Sequence, residues 1–124
     1  MKNYKELIFW QKSMDLAAEI YKLVKLLPKE ETYALSDQMR RAVVSIPSNI
    51  AEGQGRGSTR EYIQFLNIAR GSCFELDTQL RICINIGYFT EKNTETAFEL
   101  LMEVSKMLTS TINTLKIKLA TDNG

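Results

Sequence analysis

Two prolines, Pro28 and Pro47, and six glycines are the strongest backbone punctuation in this 124-residue chain, and their placement cuts it into four segments. Gly53, Gly55 and Gly57 stand together; Gly71, Gly87 and Gly124 stand apart. Within each segment the apolar residues recur at intervals of three and four, which on a helix gathers them on one face. The first carries Leu7, Trp10, Met14, Ala17, Tyr21 and Val24, widened by Leu16, Ile20, Leu23 and Leu27, and stops at Pro28. The second carries Leu35, Met39, Ala42, Val43, Ile46 and Ile50, and is expected to end at Gly53, a residue suited to the left-handed turn after a helix. Pro47 lies inside it. Because the apolar spacing continues past this proline, a bend is expected there rather than a boundary.

Ser58 followed by Glu61 forms a capping box, in which the serine hydroxyl accepts from the Glu61 N–H and the glutamate reaches back. The third helix then runs along Tyr62, Leu66, Ala69, Cys73, Leu76, Leu80 and Cys83 to a stop at Gly87. Thr90 is the expected cap of the fourth, with Glu91, Glu95 and Glu99 at the positive end of its dipole and Lys116 and Lys118 at the negative end. Its seam is Phe98, Leu101, Ser105, Leu108, Ile112, Leu115 and Leu119, and the last four residues, 121–124, are expected to fray. No strand-type alternation competes. Helices over about 7–27, 35–53, 59–86 and 91–119, joined by short links, predict one all-α domain over 1–124, an antiparallel up-down four-helix bundle.

The chain contains no histidine, which removes Ser-His-Asp and Cys-His catalysis, HExxH zinc sites and histidine-ligated haem. Cys73 and Cys83 lie ten residues apart on one predicted helix, a separation of about 15 Å where a disulfide needs about 4.4–6.8 Å, so both read as buried hydrophobes. No catalytic residue, cofactor or metal is expected. The N-terminal stretch meets Lys12 and Asp15 before any sustained apolar run, and no window approaches the roughly 18 apolar residues of a membrane span; a cytoplasmic protein is expected.

Polar residues interrupt faces that should be apolar. On the third helix Phe65, Ile68, Ser72, Glu75, Gln79, Ile82 and Ile86 form a second row, and on the second helix Gln38, Arg41, Ser45, Asn49 and Glu52 do the same. Two such rows predict a partly buried network of Arg41, Ser45, Asn49, Glu52, Glu75 and Gln79, in which Arg41 forms a two-bonded pair with Glu75; two solvated helix edges are the simpler alternative. Gly71, beside Ser72, marks a candidate close helix crossing within or between subunits. The loop 53–57 lacks the Lys-Ser/Thr ending of a phosphate-binding loop and reads as a flexible turn.

Sixteen Lys plus Arg against fifteen Asp plus Glu leave a net charge of +1, yet all six arginines fall between positions 40 and 81. Arg40, Arg56, Arg60 and Arg70 are the candidate nucleic-acid contacts, since a guanidinium offers paired donors to phosphate oxygens.

Phe9-Trp10-Gln11-Lys12, Tyr33 with Leu35, and the run Gln38 to Gly53, in which Arg40-Arg41-Ala42-Val43-Val44-Ser45-Ile46-Pro47-Ser48-Asn49-Ile50-Ala51-Glu52 stands, resemble the bacterial four-helix-bundle family encoded in intervening sequences of 23S ribosomal RNA genes. Arg56, Ser58, Phe65, Gly71-Ser72, Glu75-Leu76 and Gln79-Leu80 continue the pattern, which covers about residues 5–89. The resemblance implies assembly as a ring-shaped homopentamer. It also implies kinship with the accessory variability proteins of diversity-generating retroelements, which associate with reverse transcriptase and nucleic acid, and it makes the polar row a determinant of fold and assembly. A non-catalytic homo-oligomeric adaptor for RNA or a nucleic-acid-processing protein is therefore expected. The alternative is a protein-interaction scaffold with no nucleic-acid affinity, reached through Glu91, Glu95, Glu99 and Glu103.

Overall fold

A computed structural model of the chain describes residues 3–123, which form four α-helices and two short 3-10 turns. Helix α1 spans Ile8–Val24, α2 Leu35–Gly55, α3 Thr59–Asn85 and α4 Glu95–Asn123. Each helix packs against its neighbour in sequence and α4 closes back on α1, giving the expected antiparallel bundle.

The interior follows the heptad seams. Met39, Ala42, Val43, Ile46 and Ile50 of α2, Leu66, Ala69, Cys73, Leu76, Leu80 and Cys83 of α3, and Leu101, Leu108 and Ile112 of α4 are buried as their spacing predicts. Burying one Leu or Ile contributes about 1.5–3 kcal/mol, so these rows hold the fold. In α1 the wider row wins. Leu16, Ile20 and Leu23 are buried, with Ser13 donating to the Trp10 carbonyl, while Met14 and Tyr21 are exposed on the flank toward α2.

The ends differ from expectation in four places. Helix α1 stops at Val24, three residues early, because Leu26 and Leu27 donate to the Leu23 and Val24 carbonyls in tighter turns. Helix α2 runs through Pro47 and through Gly53 to Gly55, and the left-handed residue is Gly57, at φ 86°. Gly53 serves a close approach instead: a Cβ there would lie 2.7 Å from the Phe65 Cβ across the α2–α3 contact. Thr90 caps a turn rather than the helix. Its Oγ1 accepts from the Asn93 N–H, and buried Thr94 donates to the Thr90 and Glu91 carbonyls before α4 begins at Glu95. At the other end α4 extends to Asn123, past the expected end at about 119; Gly124 lies outside the described residues.

Two sequence signals act as read. The Ser58 Oγ accepts from the Glu61 N–H at 3.2 Å and donates to the Glu61 carboxylate at 3.0 Å, and Gly87, at φ 87°, ends the third segment.

Candidate functional site

The α2–α3 seam contains a smaller polar cluster than the two rows predict. Asn49 Nδ2 donates to the Ser45 carbonyl at 2.8 Å and to Ser45 Oγ at 2.9 Å, and Ser72 Oγ donates to Ser45 Oγ at 2.8 Å across the helix pair. Gln79 is buried, and its Oε1 has no hydrogen-bond partner. The rest of the network is not inside. Arg41 is exposed and pairs with Asp37 one turn back on its own helix, Nε to Oδ2 3.0 Å, rather than with Glu75, which is also exposed. Glu52 is exposed and pairs with Arg56 at 3.1 Å. An i, i+4 carboxylate reaches an exposed arginine without desolvating either group, whereas burying Arg41 with Glu75 would carry the cost of removing both charges from water.

Gly71 meets nothing within 4 Å, so no helix of the same chain crosses there. It belongs to an exposed row. Ile68, Glu75 and Ile82 share one side of α3 at seven-residue intervals, and Ile86 extends the row; Ile68, Ile82 and Ile86 are 51%, 43% and 56% exposed. The Ser72–Ser45 bond sets this row beside α2, whose Arg41 and Val44 are exposed next to Ser45.

The four candidate arginines do not gather. Arg40 sits in the groove between α1 and α2, with Nη2 3.5 Å from the Thr32 carbonyl. Arg56 and exposed Arg60 flank the α2–α3 turn, where Arg56 is held by Glu52 and lies 5.1 Å from the Phe65 ring centre. Arg70 is half-buried in mid-α3, its guanidinium 5.6 Å from the Phe74 ring centre. Sixteen residues of helix place Arg40 about 24 Å along α2 from Arg56.

Between α3 and α4 lies a groove of about 370 Å³ lined by Phe74, Asp77, Arg81, Phe98 and Met102 over the buried Cys73. Arg81 lies over Phe98, 5.0 Å from the ring centre, and donates through Nε to Asp77 at 3.0 Å, so the one arginine in the lining is paired within the groove. Phe74, Arg81 and the Arg81–Phe98 contact were not read as functional from the sequence. The available signal was Arg70, Phe74, Asp77 and Arg81 at intervals of four, three and four, a helical stripe toward α4.

Cys73 and Cys83 are free and buried, and burial pushes both thiols up to about 11, with a Ser105 hydrogen bond opposing the shift at Cys73. Among the described residues, no cluster of three or more His, Cys, Asp or Glu is placed to hold a metal ion, and no helix is long and apolar enough to cross a membrane.

The class of protein is thus an antiparallel four-helix bundle with a small polar cluster at its α2–α3 seam and large apolar residues exposed on its outer faces. The profile of the 23S rRNA-intervening sequence proteins matches residues 5–110, and the chain belongs to that family. It is similar to the crystal structure of a protein of unknown function from the S23 ribosomal protein family of Bacteroides thetaiotaomicron VPI-5482, with 31% identity and a TM-score of 0.78 over 85% of this chain and 98% of that one. No curated protein matches the sequence.

Proposed function

We propose that this chain is a non-catalytic, homo-oligomeric bundle that works in the cytoplasm as an adaptor, holding RNA or a nucleic-acid-processing protein. The observation that carries the reading is the exposed row on α3, where Ile68, Ile82 and Ile86 stand in water beside a complete core. Such a row, with polar Glu75 at its centre and Arg41 on the adjoining helix, fits a contact between copies. In that arrangement the polar row acts in assembly, and the open space at Gly71 admits a neighbouring backbone. A ring of five copies is the proposed form.

Glu52 and Glu75 suit contact better than proton transfer. Glu52 is exposed and tied to Arg56, and Glu75 is exposed, so neither has the enclosed setting that tunes a general base. The test of the RNA half is binding of a labelled single-stranded RNA across a salt series. Four phosphate contacts predict a loss of about fiftyfold in affinity between about 50 and 200 mM salt. Absence of binding by the assembled protein at the low end overturns it.

A scaffold with no nucleic-acid affinity is the second reading, favoured by the exposure of Glu91, Glu95 and Glu99 at the start of α4. It predicts a protein partner whose capture survives nuclease treatment.

A further inference from the structure

We propose that the α3 row of one copy docks into the trough between α1 and α2 of the next, a head-to-tail contact between two different faces of the same chain. This rests on the assembly reading above and names the surface that receives the row. Trp10 and Met14 of α1 line the trough with Val44 and Pro47 of α2, around about 350 Å³ of open space. A second hollow continues from Val44 past Tyr21 to Arg40 and Arg41. Met14, Tyr21 and Val44 are 45%, 43% and 44% exposed, so apolar side chains of two helices face water along it. The trough from Asp37 to Ala51 and the row from Ile68 to Ile82 each cover fourteen residues of helix, about 21 Å.

Charge selects a second copy as the occupant, and this face of it. Glu75 is the one charged residue of the row and stands at its middle, seven residues from both Ile68 and Ile82. It has no ion-pair partner among the described residues. A row laid in register on its own copy would set Glu75 against Glu75, a like-charge pair drawn out of water, which disfavours a two-fold contact. The trough has the opposite sign. Arg40 has no carboxylate partner among the described residues, its Nη2 lying 3.5 Å from the Thr32 carbonyl, while Arg41 is balanced by Asp37, so these three charges leave a positive surplus beside Val44. Docking brings Glu75 to that surplus and its flanking isoleucines to the apolar lining. The row lies on the α2–α3 side and the trough on the α1–α2 side, adjoining sides of the bundle, so each added copy turns about an axis, which favours a closed ring over a straight filament.

The experiment is native mass measurement of wild type, Ile82→Asp, Val44→Asp and an equal mixture of the two variants, with circular dichroism confirming that each is helical. Each variant alone is expected as single chains. Their mixture is expected as pairs holding one of each, because the intact row of Val44→Asp meets the intact trough of Ile82→Asp and the two damaged faces stop further growth. Met14→Asp, at an equally exposed position on the facing helix, takes the place of Val44→Asp if that variant does not fold. Glu75→Gln is expected to raise the dissociation constant of the assembly about tenfold, through loss of its attraction to the arginines. A mixture that stays as single chains would overturn the proposal, and so would tighter assembly in Glu75→Gln, the sign of row meeting row. Wild-type mass in Val44→Asp and Met14→Asp, with single chains in Ile82→Asp, would overturn the trough while leaving the row as a contact between copies. Single chains in wild type would overturn both readings.

Discussion

Gly53 shows how much one missing methyl group can decide in this bundle. A Cβ at that position would meet the Phe65 Cβ, an atom anchored to the α3 backbone, and the two helices would have to separate. Gly53→Ala is therefore expected to destabilise the protein by about 1–3 kcal/mol despite alanine's better helix propensity, a sign that thermal unfolding checks directly. The sequence marks this glycine but reads it as a helix end, since a glycine after an apolar run suits either a cap or a close approach. Arg41 fails for a related reason. A helical wheel places Arg41 and Glu75 beside their apolar seams, but it does not say whether a flanking row turns into the bundle or out of it, and Asp37 one turn away supplies a partner that needs no burial. Ser45 and Asn49 were legible as short polar side chains at the seam, whereas Ser72, which donates to Ser45 across the helix pair, was placed on the facing row but not in the predicted network.

The two thiols add a pH dependence at the same scale. Burial raises Cys73 and Cys83 from 9.0 to about 11, so between those values the unfolded chain has lost thiol protons that the folded chain still holds. Stability should be unaffected by these groups below about pH 9 and should fall as pH rises toward 11, the direction set by fewer protons bound in the unfolded state. Urea midpoints measured from pH 8 to 11 check it; Cys73→Ser with Cys83→Ser should flatten the decline.

Among the elements, the interiors of α2, α3 and α4 followed their seven-residue seams, whereas the ends did not all follow their caps. Ser58 is a cap in sequence and in structure, and Ser58→Ala should cost about 1 kcal/mol, read as a lower urea midpoint at unchanged slope. Thr90 looks equivalent in sequence, but Thr94 is fully buried four residues on and bonds back to the Thr90 and Glu91 carbonyls, so a closed turn precedes α4. Burial of Thr94 depends on how α4 docks, which no local pattern contains. The α1 flank was misread likewise: Met14 and Tyr21 keep helical spacing with the core, yet docking on α2 and α4 selects the Leu16, Ile20 and Leu23 row.

At the scale of the whole molecule, one chain satisfies its own core and leaves Ile68, Ile82 and Ile86 in a row on its outside. A row of that kind is where a second copy would add most, and a heterologous contact repeated around an axis closes into a ring. Ile82→Asp is expected to leave the helical content intact and to convert the assembly to single chains. The groove holding Phe74, Arg81 and Phe98 was invisible to charge counting because its one arginine is paired with Asp77 and its rings come from two successive helices, whose facing sides are set only by docking. The native mass of the purified wild-type protein, set beside that of Ile82→Asp, tests the assembly claim most directly. Five copies of the 14.2 kDa chain for wild type and one for the variant are the predicted result, and a single 14.2 kDa species for wild type at micromolar concentration would contradict it.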